Sequence, residues 1–305
     1  MEIRSIAIVG SGAVGIYYGS RIWEAGHEVR FLLRSDFEAV QKGGLRIESV
    51  DGDLTLPSPQ IAQTASELGP VDLVVVAWKA TANPSAEEVI APLLHKESRI
   101  LTLQNGLGNV ELLEGLFGQG RVLGGLCFVR INRIGSGHIV HEGGGMVTLG
   151  EFHETGVLEQ AVELLGPKVK AVTTNNLEQA QWRKLVWNIP FNGLCVAEGG
   201  IDTQELFRRP GREDEVRKLM GEVVSAAEAQ GLAIPDDFIE KQIRTTREMG
   251  VYRPSSMLDF VAGRPLEVEA IWGAPLRRAQ EAGVAMPTLA KLTQRIREMD
   301  TKNRQ

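Results

Sequence analysis

Three observations predict an α/β chain, an N-terminal Rossmann-type dinucleotide-binding domain (1–174) followed by an all-α C-terminal domain (175–305). A glycine-rich turn, Gly10-Ser-Gly-Ala-Val-Gly15, sits between a short β-branched run and a helical pattern. Apolar strand-like runs then alternate with helical stretches. After Thr174 the β signal vanishes and only helical periodicities follow. A length of 305 residues is itself long for one core, so two domains of ordinary size are expected.

Composition narrows the function classes. A net charge of −6 offers no electrostatic footprint for nucleic acid or an anionic membrane. Cys127 and Cys195 lack metal-ligand or redox spacing and suit a reducing cytoplasm as small core residues. Glu2 and Arg4 precede only a short apolar run, so neither a signal peptide nor a membrane span is expected, and the chain reads as cytoplasmic. Arg208, Arg209 and Arg212, and the pair Arg277-Arg278, read as solvated helix faces.

In chain order, Ile6-Ala-Ile-Val9 suits a buried parallel strand. The glycine turn follows, then a helix from Ala13 to about Ala25 and a second strand over Glu28–Leu33. In that βαβ setting Gly10 permits the tight turn, Gly12 lets backbone approach a pyrophosphate, and Gly15 allows close helix–strand packing. The helix start, with Ser11, Ala13 and Val14, supplies N–H groups to phosphates. Where an NAD-binding chain usually carries Asp or Glu after the second strand, this one has Arg34, which can grip a 2′-phosphate. Asp36 is the residue that would restore an NAD reading, but Ser35-Asp-Phe-Glu38 has the pattern of a capping box. NADP(H) is therefore the expected cofactor.

The stretch from Leu45 to Ala62 reads as short strands hung on the sheet rather than a full βα unit. Strands resume at Val71–Lys79 and Arg99–Asn105, with a helix near Ser85–Leu94 between them. Lys79 and Asn105 fall at carboxyl ends of strands, the edge where open α/β sheets bind ligands. Residues 121–151 read as an antiparallel hairpin, with His138 and His141 on opposite faces and no metal cluster. A helix near Leu158–Leu165 and a strand near Val169–Thr173 complete the first domain.

Asn175-Asn-Leu-Glu178 resembles an N-cap with its reciprocating carboxylate, opening a helix that would cross the cleft. On that helix Lys184, Asn188 and Asn192 recur every four residues, each turned only about 40° from the last. They form a polar ridge on a helix that Trp182, Leu185, Val186, Trp187, Ile189 and Phe191 make apolar elsewhere. A buried ridge needs internal partners or a ligand; core hydrogen bonding with Lys184 reaching water accounts for it as well as catalysis does. Pro190 is expected to kink this helix. Further helices are expected over 212–230, 236–249, 255–262, 269–282 and 287–299.

Gly10-Ser-Gly-Ala-Val-Gly15, Arg34, Lys79, Gln104-Asn-Gly106, Trp182-Arg-Lys-Leu185 with Asn188 and Asn192, and Ser255-Ser-Met-Leu258 followed by Gly263-Arg-Pro-Leu-Glu267 run in order along nearly the whole chain. Together they resemble the 2-dehydropantoate 2-reductases (ketopantoate reductases), NADPH-dependent enzymes of the coenzyme A pathway. The resemblance implies reduction of the 2-oxo group of 2-dehydropantoate to (R)-pantoate, with Lys184 as catalytic lysine and general acid. It implies that Asn188 and Asn192 bind the substrate hydroxyl and reacting end, that Ser256 contacts the substrate carboxylate, and that Glu267 is the active-site glutamate. Lys79 and Asn105 would lie near the nicotinamide, with Asn105 touching substrate as well. Glu269 is a second candidate for that glutamate, and Ala82 stands where some members have a glutamine. Trp187 and Pro190 make the ridge helix bulkier and stiffer than in the family, and would bear on substrate preference.

Lysine's reference pKa of about 10.4 keeps an ammonium protonated at neutral pH unless desolvation dominates, so a lysine can polarise a carbonyl and protonate the developing alkoxide. Two other readings stay open. One is a reductase of another branched 2-oxo acid on the same scaffold. The other is a non-catalytic NADP(H)-binding regulator, which would need no lysine–asparagine–glutamate set. Oligomeric state is not legible, although pairing of apolar faces on the later helices would give a homodimer.

Overall fold

The computed structural model describes residues 2–166 and 168–304. The chain separates into two compact units. One runs to Gln104 and resumes over Asn109–Leu177; the other takes Asn105–Gly108 together with the chain from Glu178 onward.

The first unit is an α/β unit built on one large sheet. It opens with β1 (Ser5–Val9), α1 (Ala13–Glu24), β2 (Glu28–Leu32) and α2 (Phe37–Gly43), followed by β3 (Leu45–Ser49), β4 (Leu54–Leu56), β5 (Gln60–Ala62), α3 (Ala65–Leu68) and β6 (Val71–Val76). Then come α4 (Ala86–Ile90), β7 (Leu94–Thr102), α5 (Asn109–Phe117), β8 (Val122–Gly135), β9 (His138–Glu151), α6 (Leu158–Leu164) and β10 (Ala171–Thr173). The strand order is β4-β3-β9-β8-β7-β6-β1-β2-β5, with β10 also pairing β9. From β5 through β8 every neighbouring pair is parallel, which is the Rossmann-type core. β1 and β6 are buried along most of their length, as strands covered on both faces must be.

Several local expectations are corrected. The 45–62 stretch is shared between the two ends of the sheet: β3 and β4 lie beyond β9, while β5 adds to β2 as a parallel strand and leads into α3. Pairing partners far apart in sequence decide this, and three-residue strands carry no periodicity to reveal it. The expected single helix over 85–94 is a 3₁₀ turn (Ala80–Ser85), α4 and a second 3₁₀ turn (Ala91–Leu93), and β7 already begins at Leu94. Asp36 heads α2 but makes no capping bond there; its carboxylate accepts from Arg133 at 2.6 Å and from Gly137 N at 3.2 Å. A capping box does form at Thr64 and Glu67, at the start of α3.

The second unit is helical: α7 (Leu177–Ala197, its first residue belonging to the first unit), α8 (Thr203–Arg208), α9 (Arg212–Glu228), α10 (Phe238–Met249), α11 (Ser255–Val261), α12 (Ala274–Glu281) and α13 (Pro287–Asn303). A π-helical turn, Glu269–Gly273, leads into α12. α7 lies at the centre of the core, its Trp182, Val186, Ile189 and Phe191 packed in one cluster with Leu219 and Val223 of α9 and Leu289 and Ile296 of α13. Burial of side chains this size stabilises by about 1.5–3 kcal/mol each. Burial also pushes the Cys195 thiol up to about 12, an inert core group.

The helix continues through Pro190 without a break. α8 was not expected; Asp202 caps it by accepting from Glu205 N at 2.9 Å. Glu222 of α9 does the same for α13, accepting from Thr288 N and Leu289 N. Glu178 pairs with Arg278 at 2.8 Å instead of serving the start of α7. Arg209 and Arg212 are not simply solvated, because both converge with Arg295 on Glu198. Arg277 likewise pairs with Glu269. Among the described residues no helix is long and apolar enough to cross a membrane.

His141 marks a tight spot in the first unit. Its ring lies 4.5 Å from that of Tyr17, and Nδ1 meets Ser49 Oγ at 2.9 Å. Nε2 and the Tyr17 hydroxyl are buried without a hydrogen-bond partner among the described residues. Burial, joined by Arg21 and Arg130 and only partly opposed by Asp51, lowers the His141 pKa below its ordinary 6.5. The folded pKa is then below the unfolded one, so stability from neutral His141 is full above pH 6.5 and is lost as pH falls toward the folded value. Urea midpoints followed from pH 7 to 5 are expected to fall more steeply for the wild type than for His141→Gln; parallel curves would refute this.

Candidate functional site

In the first unit the glycine turn is built by three different steric demands. Gly10 has φ 99°, and a Cβ there would stand 2.2 Å from Trp78 N. A Cβ on Gly15 would stand 2.2 Å from Gly10 O, so the turn and α1 interlock. Gly12 has nothing within 4 Å of an added Cβ. The turn is thus closed at Gly10 and Gly15 and open at Gly12, the pattern a phosphate cradle needs. Ser11 Oγ donates to Leu32 O at 2.9 Å and ties the turn to the end of β2. Within α1 the first backbone bond is Ile16 N to Gly12 O at 2.9 Å, which leaves the N–H groups of Ala13, Val14 and Gly15 without intrahelical acceptors.

Beyond β2, Arg34 is exposed and has no ion-pair partner among the described residues, whereas Asp36 is 3% exposed and occupied by Arg133. The carboxylate that would suit a ribose hydroxyl is therefore engaged, and the free charge at this edge is cationic. Lys79 is exposed at the head of the 3₁₀ turn after β6. The same edge carries a network missed in the sequence. Asn83 Oδ1 accepts from Trp78 Nε1 at 3.2 Å and from Gln104 Nε2 at 2.7 Å, and Asn83 Nδ2 donates to Asn109 Oδ1 at 2.9 Å. The only signal for it was amides recurring just after β6 and β7.

In the helical unit the ridge residues meet different fates. Lys184 Nζ donates to Asn105 Oδ1 at 2.8 Å; Asn105 lies in the four-residue segment that clusters with this unit. Asn192, 3% exposed, accepts from Ser256 N at 3.0 Å and so caps α11 from a neighbouring helix. Asn188 is buried, as is Ser256, and neither side chain has a hydrogen-bond partner among the described residues. Groups of that kind call for a ligand or solvent. Glu267 is 4% exposed. The alternative, Glu269, has a side chain 59% exposed and pairs with Arg277 and Arg297, so of the two only Glu267 is a buried carboxylate. Trp187 does not stand free on the ridge: its Nε1 donates to Thr246 Oγ1 at 2.9 Å, and its ring packs on Phe191 and Tyr252.

Among the described residues no group of three or more His, Cys, Asp or Glu could hold a metal ion. The two amides should differ in a way that needs no ligand. Asn192→Ala strands the buried N–H of Ser256 and should lower unfolding free energy by about 1–3 kcal/mol. Asn188→Ala, which strands nothing, should stay within about 1 kcal/mol of wild type. Urea unfolding of both variants checks the contrast, and equal losses would refute it.

Comparison with known proteins agrees along the whole chain. A family model described as ketopantoate reductase PanE/ApbA matches residues 6–154, and its C-terminal counterpart matches residues 176–300. A 2-dehydropantoate 2-reductase of Nostoc sp. (strain PCC 7120) is 39% identical over 100% of this chain and 98% of its own length. The crystal structure of 2-dehydropantoate 2-reductase from Geobacter metallireducens GS-15 superposes with a TM-score of 0.93 at 43% identity, covering 96% of this chain and 99% of that one. D-mandelate dehydrogenase, solved with NADH and anilino(oxo)acetate, shares the fold at 22% identity and a TM-score of 0.87, covering 98% of this chain and 99% of that one. The chain belongs to the ketopantoate reductase family and is a pyridine-nucleotide-dependent oxidoreductase acting on a CH–OH/C=O pair.

Proposed function

We propose that this chain reduces 2-dehydropantoate to (R)-pantoate with NADPH, and that Lys184 is the general acid. The observation that carries the reading is the polar set on the helical unit: a half-buried lysine held at 2.8 Å by Asn105, with the side chains of buried Asn188 and Ser256 unbonded among the described residues and Glu267 buried. The relative 39% identical over the full chain, named a 2-dehydropantoate 2-reductase, supports this substrate.

The chemistry the nicotinamide supplies when bound is a hydride, delivered to the carbonyl carbon. The chain's own residues do the rest. Asn105 restrains the Lys184 ammonium, whose stem would otherwise sample many rotamers. That ammonium polarises the carbonyl oxygen and gives it a proton as negative charge builds there, and the lysine regains its proton from solvent. The Ser256 hydroxyl meets the substrate carboxylate, and the Asn188 amide meets the substrate hydroxyl. Asn192, whose Oδ1 accepts from Ser256 N, holds Ser256 in place, and Glu267 supplies the negative charge that suits a partly desolvated ammonium.

Preference for NADPH follows from Arg34 and Asp36. Arg34 is available to a 2′-phosphate, while Arg133 occupies the carboxylate that would otherwise favour a bare ribose. The residues of the turn fit the cofactor's phosphates, Gly12 being open to their approach.

NADPH oxidation monitored against a panel of 2-oxo acids tests the reading directly: turnover should be fastest with 2-dehydropantoate. Silence across the panel despite tight NADPH binding would overturn it. Lys184→Ala should lose at least ~10²-fold in kcat while keeping NADPH affinity. Near-wild-type turnover in that variant would eliminate Lys184 as the acid. Arg34→Ala should weaken NADPH binding by ~10–100-fold, the worth of charge-assisted hydrogen bonds, and leave NADH binding unchanged.

A further inference from the structure

The π-helical turn Glu269–Gly273 is an irregularity that nothing in the reaction requires by itself. Wide turns of this kind have poorer hydrogen-bond geometry than an α-helix and persist where their surroundings hold them, frequently at functional sites. This one is held from outside by two other segments and from within by one bond of its own. Ala270 O accepts from Leu107 N at 2.9 Å, and a Cβ on Gly106 would stand 2.1 Å from the same oxygen. Gly106 also has φ 88°, so this backbone, one residue from Asn105, lies flat on the turn in a conformation that suits glycine. Trp272 Nε1 donates to Ile189 O at 3.0 Å, one residue from Asn188. The indole reaches that carbonyl because Gly193 has no side chain; a Cβ there would stand 2.9 Å from Nε1. Ile271 N donates to Glu267 O at 3.1 Å.

We propose that this turn is the positioning element of the reacting set, with Gly106 and Trp272 as positioning residues. The inference rests on the reading of Lys184 as proton donor. One rigid turn touches the chain beside Asn105, beside Asn188 and at Glu267, so it fixes the three against one another. Its main consequence is the placement of Asn105 against the Lys184 ammonium. Misplacement by about 1 Å can cost ~10²-fold in rate.

The experiment compares Gly106→Ala and Trp272→Phe, each alone and combined with the variant of the residue it positions. Gly106→Ala should lower kcat by ~10–100-fold, and in an Asn105→Ala background it should cost no more than about 2-fold further, because the interaction it acts through is already gone. Trp272→Phe keeps most of the ring and loses the N–H; its kcat loss should likewise be absorbed in an Asn188→Ala background. Multiplicative losses in both pairs, or unchanged kcat in both single variants, would overturn the proposal, and Trp272→Phe decides alone where Gly106→Ala does not fold. A crystal structure of Gly106→Ala gives a reading independent of activity: Lys184 Nζ and Asn105 Oδ1 should separate well beyond 2.8 Å, and a retained hydrogen bond overturns the proposal. Turnover is read with the 2-oxo acid the wild type reduces fastest. A wild type that reduces none defeats the proton-donor reading, while the crystal structure still decides whether the turn positions Asn105.

Discussion

Polar side chains on a helix buried nearly all round cannot be left to water, and the helical unit is arranged around that constraint. α7 places Lys184, Asn188 and Asn192 in line while Trp182, Val186, Ile189 and Phe191 fill the core about it. Each ridge residue is resolved differently. The Oδ1 of Asn192 serves the fold, as the cap of α11. Lys184 is held by Asn105. Asn188 has no protein partner among the described residues and is available to a ligand. One ridge therefore supplies a structural cap, a restrained ammonium and a free amide.

The first unit shows the same economy in its glycine turn. Gly10 and Gly15 are glycines because backbone atoms stand 2.2 Å from where a Cβ would be, while Gly12 faces open space. Packing explains the outer two, whereas no packing contact of the fold requires the middle one to lack a side chain. The choice made after β2 is electrostatic. A nearly buried Asp36 would be costly to leave unpaired, and Arg133 together with Gly137 N satisfies it. That pairing comes from the hairpin of β8 and β9, about a hundred residues downstream, and it leaves Arg34 as the available charge.

Where local signals conflicted with distant partners, the distant partners won. Ser35-Asp-Phe-Glu38 has the spacing of a capping box, but Asp36 gains more from a guanidinium than from a helix start. Glu178 similarly leaves the start of α7 for Arg278. Glu198 gathers Arg209, Arg212 and Arg295, which sequence patterning can only show as charged helix faces. The short α8 and the three-residue β5 fall below the length at which a periodicity can be recognised.

The glycine turn in its βαβ setting, the switch from strands to helices after Thr174, the β8–β9 hairpin and the four-residue spacing of the ridge were legible in the sequence, because each rests on contacts or periodicities within a few turns of chain. Which of Glu267 and Glu269 is buried, which amide serves the fold, and that Asn105 reaches Lys184 were not. Those depend on groups 60 or more residues apart, 64 for Asn192 and Ser256 and 79 for Asn105 and Lys184, and on a π-helical turn that shifts the helical phase after Glu267. A one-residue shift of phase moves a side chain by about 100° around its helix, enough to exchange buried for exposed, and only packing against Gly106, Ile189 and Gly193 decides it.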